Sequence, residues 1–218
     1  MNPVKTISYS KYSLFNQCPK KFKYIYIDKF KEAPSEILER GSAMHKQMEE
    51  HLTIPNFPVP SFADWLVPYL KPIKKYLIAE EFWQADKDFK PLPSFHPDIK
   101  YVGKVDAYFV KGSMLVLIDW KTGKVREKNM EQLELYAILA LNKFPEVQEI
   151  VLDLVYLDHE QIISESFTRE DLPRLEQMWK ARIQRFEEAI EFPPNVTALC
   201  NYCAFSRRVN NGPCEAHA

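Results

Sequence analysis

The sequence predicts an α/β protein: a mixed central β-sheet flanked by helices, with an N-terminal helical region and a C-terminal cysteine-rich tail packed on it. Three observations predict it. Tyr101 to Val110 and Leu115 to Trp120 are rich in Val, Ile, Tyr and Phe and are joined at Gly112-Ser113, which reads as a tight hairpin. The run Leu115-Val-Leu-Ile118 is nearly all apolar, as expected of a central strand. A helix over 129–142 and an apolar strand over 149–157 follow, and a strand–helix–strand crossover makes Leu115 to Trp120 parallel to Ile150 to Leu157.

The remaining elements follow in chain order. Ser8 is placed to cap a helix, and Cys18-Pro19 divides residues 8–27 into two helical pieces. Residues 35–52 read as a helix with an apolar stripe of Leu38, Met44, Met48 and Leu52; Gly41 inside it suggests a close backbone approach. Prolines 55, 58, 60, 68 and 72 mark a connector with a short helix around Ala63 to Tyr69. The chain then enters a strand around Glu81-Phe82-Trp83, and Pro91, Pro93 and Pro97 mark a loop before the hairpin. Asn129 and Gln132 resemble a capping box for the next helix, in which Leu133, Tyr136, Ala137, Ala140 and Leu141 keep helical spacing. Gln161 to Phe167 returns as an antiparallel strand, Thr168 with Asp171 starts a long helix, and Pro193-Pro194 stops it.

The hairpin carries the chemistry. A two-residue turn sets Lys111 opposite Met114, and counting back puts Asp106 opposite Asp119. Two carboxylates so placed, with Cβ atoms about 4.5–5.5 Å apart, repel. A divalent cation between them turns repulsion into ligation, and hard oxygen donors suit Mg²⁺ or Mn²⁺. Lys121 shares a face with Asp119, while Trp120 points the other way. The plainer reading is a surface hairpin with solvated Asp and Lys. His45 is open in the same way, as a packing residue or a ligand. Glu81 is a candidate accessory acid.

Hydrophobic residues make up 46% of the 218, enough for a core, and 29 basic against 30 acidic residues leave a net charge of −1. A globally basic nucleic-acid binder is excluded, so any such contact is a local patch. One candidate is Lys20, Lys21 and Lys23 beside Tyr24, where positive charge alternates with flat rings; the alternative is a solvated lysine face. No apolar run approaches the roughly 18 residues of a membrane span, and MNPVKTISYSKYS lacks the apolar centre of a signal peptide. A cytoplasmic protein is expected, where structural disulfides are rare. The four cysteines therefore need another account. Cys200-x-x-Cys203 and Cys214 lie in the tail and Cys18 near the start; four thiolates fit zinc or an iron–sulfur cluster by count, and four unligated thiols is the alternative.

Together these residues resemble the RecB-like branch of the PD-(D/E)XK nuclease superfamily over nearly the whole chain. Gly41-Ser-Ala-Met-His45 is similar to the family's inward-histidine helix motif, Gly103-Lys-Val-Asp106 to its Gly-x-x-Asp strand, Asp119-Trp-Lys121-Thr-Gly123 to its Asp/Glu-x-Lys strand, and Gln132 to Tyr136 to its Gln-x-x-x-Tyr helix. The resemblance implies a restriction-endonuclease-like core in one nuclease domain over 1–218: a helical part to 75, the core over 76–192, and a cluster-binding tail over 193–218. It implies a metal-dependent DNA exonuclease acting on single-stranded ends, in DNA recombination or repair, phage DNA metabolism or CRISPR adaptation, with partner proteins of those systems and a bacterial, archaeal or phage-infected cytoplasm. His45, Asp106, Asp119 and the Trp120 carbonyl would bind Mg²⁺ or Mn²⁺, the imidazole favouring Mn²⁺. Lys121 would orient the attacking water, with Gln132 and Tyr136 supporting it or the DNA. The cysteine pattern resembles the iron–sulfur-stapled members, CRISPR-associated RecB-like exonucleases and the AddB nuclease domain, which implies a [4Fe–4S] cluster on Cys18, Cys200, Cys203 and Cys214. The ten residues between Cys203 and Cys214 are longer than that pattern has. No Walker-type phosphate loop is present, since Gly123-Lys124 is followed by Val125. The alternative function is a non-catalytic DNA-binding or adaptor protein with a structural Cys₄ zinc site.

Overall fold

A computed structural model describes residues 1–32, 35–125 and 130–216. Its centre is the predicted hairpin. Strands β2 (Tyr101–Lys111) and β3 (Met114–Lys121) pair antiparallel from Lys111↔Met114 to Ala107↔Ile118, the register the turn dictates. Gly112 at the turn has φ +61, a conformation open to glycine at no steric cost. With β1 (Ile78–Ala85), β4 (Glu149–Tyr156) and β5 (Gln161–Thr168) they form a five-stranded sheet in the order β1-β2-β3-β4-β5. The pair β3·β4 is parallel and the others antiparallel, so the sheet is mixed, as expected from the crossover through helix α5 (Met130–Lys143). The predicted cap at Asn129 lies outside the described residues.

The chain divides into two compact units. One comprises residues 36–178 and holds the sheet, helix α3 (Glu36–Thr53), the short helix α4 (Val67–Leu70) and α5. Met44 and Met48 of α3 join Leu66, Leu70, Ala107, Ile118 and Trp120 in one apolar cluster. The predicted α3 stripe breaks at Leu38, which is 61% exposed. Gly41 and Gly103 are both sites of close approach. A Cβ on Gly41 would stand 2.9 Å from Thr122 Oγ1, and one on Gly103 about 3.0 Å from Leu139 of α5.

One feature of β2 departs from simple alternation. Gly103 faces α5, and so does Tyr108, whose ring meets Trp83 and Phe144. Residues of opposite parity share a face only if the strand turns over between them. The burial pattern marks the place: alternation holds to Lys104 and is followed by four buried residues, Val105 to Tyr108. The opposite strand is irregular at the same level, where Glu80 adopts φ +57 and drops out of the ladder between Ala79↔Ala107 and Glu81↔Val105.

The second unit joins residues 1–35 to 179–218. Ser8 caps α1 (Tyr9–Gln17) by accepting from Lys11 N, and Pro19 opens α2 (Pro19–Tyr26), as its fixed φ favours. The long helix α6 (Leu172–Glu188), preceded by the Thr168–Asp171 capping box, contributes its second half here. Phe15, Phe22 and Phe186 meet edge-to-face, and Asn195 Nδ2 donates to the Gln17 carbonyl at 3.0 Å, so both chain ends build one aromatic core.

Candidate active site

Every residue of the predicted catalytic set lies in the 36–178 unit. Asp119 is almost wholly buried near the end of β3. Gln132 Nε2 of α5 donates to its Oδ1 at 3.0 Å, and Lys121 Nζ stands 2.5 Å from its Oδ2. That ammonium also donates to Gln132 Oε1 at 2.7 Å. Gln132 Nε2 lies 3.0 Å from the Tyr136 hydroxyl, which in turn donates to the Lys104 carbonyl at 2.6 Å. The i, i+4 spacing of Gln132 and Tyr136 thus runs a hydrogen-bonded chain from β3 across to β2.

Asp106 completes the pair in an unforeseen way. The backbone ladder ends at Ala107↔Ile118, and the next N–H, that of Trp120, donates 2.8 Å to Asp106 Oδ2 instead. A carboxylate replaces a main-chain partner and is held between the strands beside Asp119. Its Oδ1 lies 3.4 Å from His45 Nδ1, which α3 presents while Met44 and Met48 anchor that helix in the apolar cluster. The Trp120 side chain lies in the same cluster, away from Asp119 as expected.

Two features hold α3 against the end of β3. Gly41 lets Thr122 approach, and Asp158 accepts from Gly123 N at 2.7 Å while pairing with Arg40 Nη1 at 3.0 Å. Gly123 has φ +88, which suits its glycine. Asp158 carries no motif signature, and sequence reasoning missed it.

Electrostatics set these groups apart. Burial raises the Asp119 pKa; the Lys121 ammonium pulls it back, but the neighbouring Asp106 charge adds to the rise. Burial alone lowers the His45 pKa, yet its hydrogen bond to Asp106 and the charges of Asp106 and Asp119 outweigh this and lift it above the ordinary imidazole value. The Tyr136 phenol is driven far up by burial and by Asp119 and Asp106, so it stays a donor.

As placed, these side chains hold one another: among the described residues, no three of His, Cys, Asp and Glu are gathered to hold an ion. The donor set still suits a divalent cation. Asp119 Oδ2 is buried and faces the Lys121 ammonium at 2.5 Å, so this hard carboxylate oxygen is set up for a positive partner, which a divalent cation also supplies.

The candidate accessory acid is displaced by one residue. Glu81 accepts from Trp83 Nε1 at 2.8 Å and from the Tyr108 hydroxyl at 2.5 Å, and pairs with Lys143 at 3.2 Å. It is a saturated structural group. The left-handed turn at Glu80 sends that neighbouring carboxylate to Lys104 instead.

The predicted DNA-contact residues and the cysteines belong to the other unit. Lys21 pairs with Glu32 at 2.6 Å, Lys23 with Asp28 at 2.7 Å, and Lys20 Nζ lies over the Tyr24 ring. Tyr24 is buried, stacked on Phe30, with its hydroxyl donating to the Pro213 carbonyl at 3.1 Å. It presents no open ring for a base, because the tail covers it. Cys18, Cys200, Cys203 and Cys214 are all free and line one small cavity of about 30 Å³. The long gap before Cys214 folds as a one-turn helix, Arg207–Asn210, after which Cys214 N donates to the Phe205 carbonyl at 2.9 Å. The extra residues loop out and return.

The family model of the PD-(D/E)XK nuclease superfamily matches residues 6–208. Among solved structures, SSO0001 is 18% identical, aligned over 100% of this chain and 89% of its own, with a TM-score of 0.47. An exonuclease candidate of Eubacterium rectale is 14% identical over 94% of this chain and 88% of its own, with a TM-score of 0.54. A phage-related exonuclease of Haemophilus somnus is 13% identical over 78% and 92%, with a TM-score of 0.31. At these identities the likeness bears on fold alone. No curated protein matches the sequence.

Proposed function

The chain belongs to the PD-(D/E)XK nuclease superfamily, and on that premise we propose that it is a metal-dependent exodeoxyribonuclease hydrolysing phosphodiester bonds at single-stranded DNA ends. The observation that carries the reading is the meeting of Asp106, Asp119, Lys121 and Gln132 around a buried carboxylate whose Oδ2 meets, among the described residues, the Lys121 ammonium. His45, Asp106, Asp119 and the Trp120 carbonyl are the groups that would hold Mg²⁺ or Mn²⁺. When bound, the ion supplies a water of lowered pKa and a polarised phosphate oxygen.

The chain's own residues do the rest. Lys121, held by Gln132, sets its ammonium where negative charge builds on the phosphate and orients the water. Gln132 fixes both Lys121 and Asp119 so that neither reorganises during reaction. Tyr136, kept protonated, ties Gln132 to β2. Lys121→Ala tests the reading: cleavage of end-labelled single strands with Mn²⁺ falls at least about 10³-fold while the fold is kept. Undiminished cleavage would falsify it.

We further infer that the four cysteines share one metal site, a [4Fe–4S] cluster or zinc; that all four line one cavity supports a common site, and its about 30 Å³ requires the thiols to part before a cluster enters. Anaerobic purification with a visible spectrum and metal analysis separates the two. A colourless zinc protein without metal-dependent cleavage supports the adaptor reading instead. Lys21 and Lys23 would meet DNA while paired with Glu32 and Asp28, whereas Lys20 keeps no carboxylate partner among the described residues. The expected setting is recombination or repair, phage DNA metabolism or CRISPR adaptation in the cytoplasm. No described helix is long and apolar enough to cross a membrane.

A further inference from the structure

Glu80 has φ +57 within β1, a backbone state that is costly for a residue with a Cβ and that persists only where surroundings over-determine it. Its side chain is 14% exposed and forms an ion pair with Lys104. Lys104 is fixed twice over: its carbonyl by the Tyr136 hydroxyl, its ammonium by Glu80. Its side chain is nevertheless 53% exposed, and it stands two residues before Asp106. The charges around its ammonium are Glu80, Asp106 and Glu49. Lys121, by contrast, is turned inward on Asp119 and Gln132. Of the two lysines at this centre, Lys104 is the more exposed, and a phosphate reaching it would share the ammonium with Glu80.

We propose that Lys104 contacts a backbone phosphate of the DNA substrate and that Glu80 is its positioning residue, the left-handed turn in β1 serving to bring that carboxylate to Lys104. The inference rests on the nuclease reading above. Ammonium contacts to phosphate give affinity without sequence preference and make it salt-dependent. Glu80 restrains the Lys104 ammonium, so less side-chain freedom is lost when phosphate arrives.

The test uses the full chain. Lys104→Met should raise the KM for single-stranded DNA about tenfold with kcat within twofold, since a phosphate contact away from the reacting bond is made in ground and transition states alike. In a Lys121→Ala background with EDTA, adding Lys104→Met should weaken DNA binding and lower the slope of log affinity against log salt by about 0.7, one phosphate's share for single strands. Glu80→Gln should raise KM about threefold. The double variant Glu80→Gln/Lys104→Met should be no worse than Lys104→Met, because Glu80 acts only through the lysine. Glu80→Gly, which relieves the strained backbone, should melt no lower than wild type and show the same KM increase, removing misfolding as an explanation. A wild type that cleaves DNA while Lys104→Met leaves both KM and salt slope unmoved overturns this inference alone. So does a double variant whose effects multiply. A wild type that neither binds nor cleaves DNA overturns the nuclease reading and the inference with it.

Discussion

Asp119 on β3 and Asp153 on β4 are neighbours in one parallel ladder, where Asp119 faces Leu154 and Ile118 faces Asp153. Both are buried carboxylates in the centre of a sheet. Their surroundings differ in kind. Asp153 takes the Tyr69 hydroxyl on Oδ2 and the Ser164 hydroxyl on Oδ1, so each oxygen has a neutral donor. Asp119 has one amide on Oδ1, and beside Oδ2 an ammonium with no aligned hydrogen bond. A carboxylate saturated by fixed neutral donors is a stability element, since removing it strands its partners. A buried carboxylate set beside a second acid and a fixed ammonium is costly to keep, and such clusters mark sites of chemistry.

That contrast can be broken by mutation. The largest effect is on activity: Asp119→Ala, like Lys121→Ala, should abolish metal-dependent cleavage, by at least about 10³-fold, while relief of the Asp106 repulsion offsets part of the cost of stranding Lys121 and keeps the stability loss to about 1 kcal/mol. Next is Asp153→Ala, which takes a partner from the half-buried Tyr69 hydroxyl and from the exposed Ser164 hydroxyl and should cost about 1–2 kcal/mol in a denaturant titration. The contrast fails if Asp119→Ala is the more destabilising of the two.

A pH titration sharpens it. In metal-free protein the Asp119 and His45 pKa values are both raised, so the folded state binds protons that the unfolded chain has released. Stability therefore falls as pH rises, from the ordinary carboxylate range upward for Asp119 and from about 6.5 upward for His45. Melts in EDTA should show this fall, and His45→Gln should flatten the part above about 6.5. Mn²⁺ affinity should rise over the same window, because the ion competes with those protons. Equal melting slopes for wild type and His45→Gln would contradict the assignment.

The smallest expected effect is Gly41→Ala. The gain in helix propensity, about 1 kcal/mol, opposes the crowding of Thr122, so stability should change by less than about 1 kcal/mol. Cleavage should still drop severalfold, since Thr122 follows Lys121 directly. An unchanged rate would show that the approach of α3 to this loop is only packing.

Much of the site was legible because short-range rules govern it. A two-residue turn fixes register, so the meeting of Asp106 with Asp119 followed from counting. The i, i+4 spacing put Gln132 and Tyr136 on one helix face. Other features had no local signature. The reversal of β2 between Gly103 and Tyr108 and the left-handed turn at Glu80 are adjustments of one strand to its neighbour, and nothing in the local sequence around Glu81 announced that its carboxylate is taken up by Trp83, Tyr108 and Lys143. Lys21 and Lys23 looked open because Glu32 and Asp28, though near in sequence, are brought to them only by the path of the chain after α2.

The sequence by itself determined the hairpin register and the parallel crossover and antiparallel return of the later strands, because turn length, periodicity and crossover handedness act over a few residues. Tertiary structure alone decided which carboxylates meet neutral donors and which meet charge, because that depends on which groups distant segments bring to each oxygen. Asp153 owes its neutral partners to Tyr69 and Ser164, whereas Asp119 Oδ2 is left to the Lys121 ammonium.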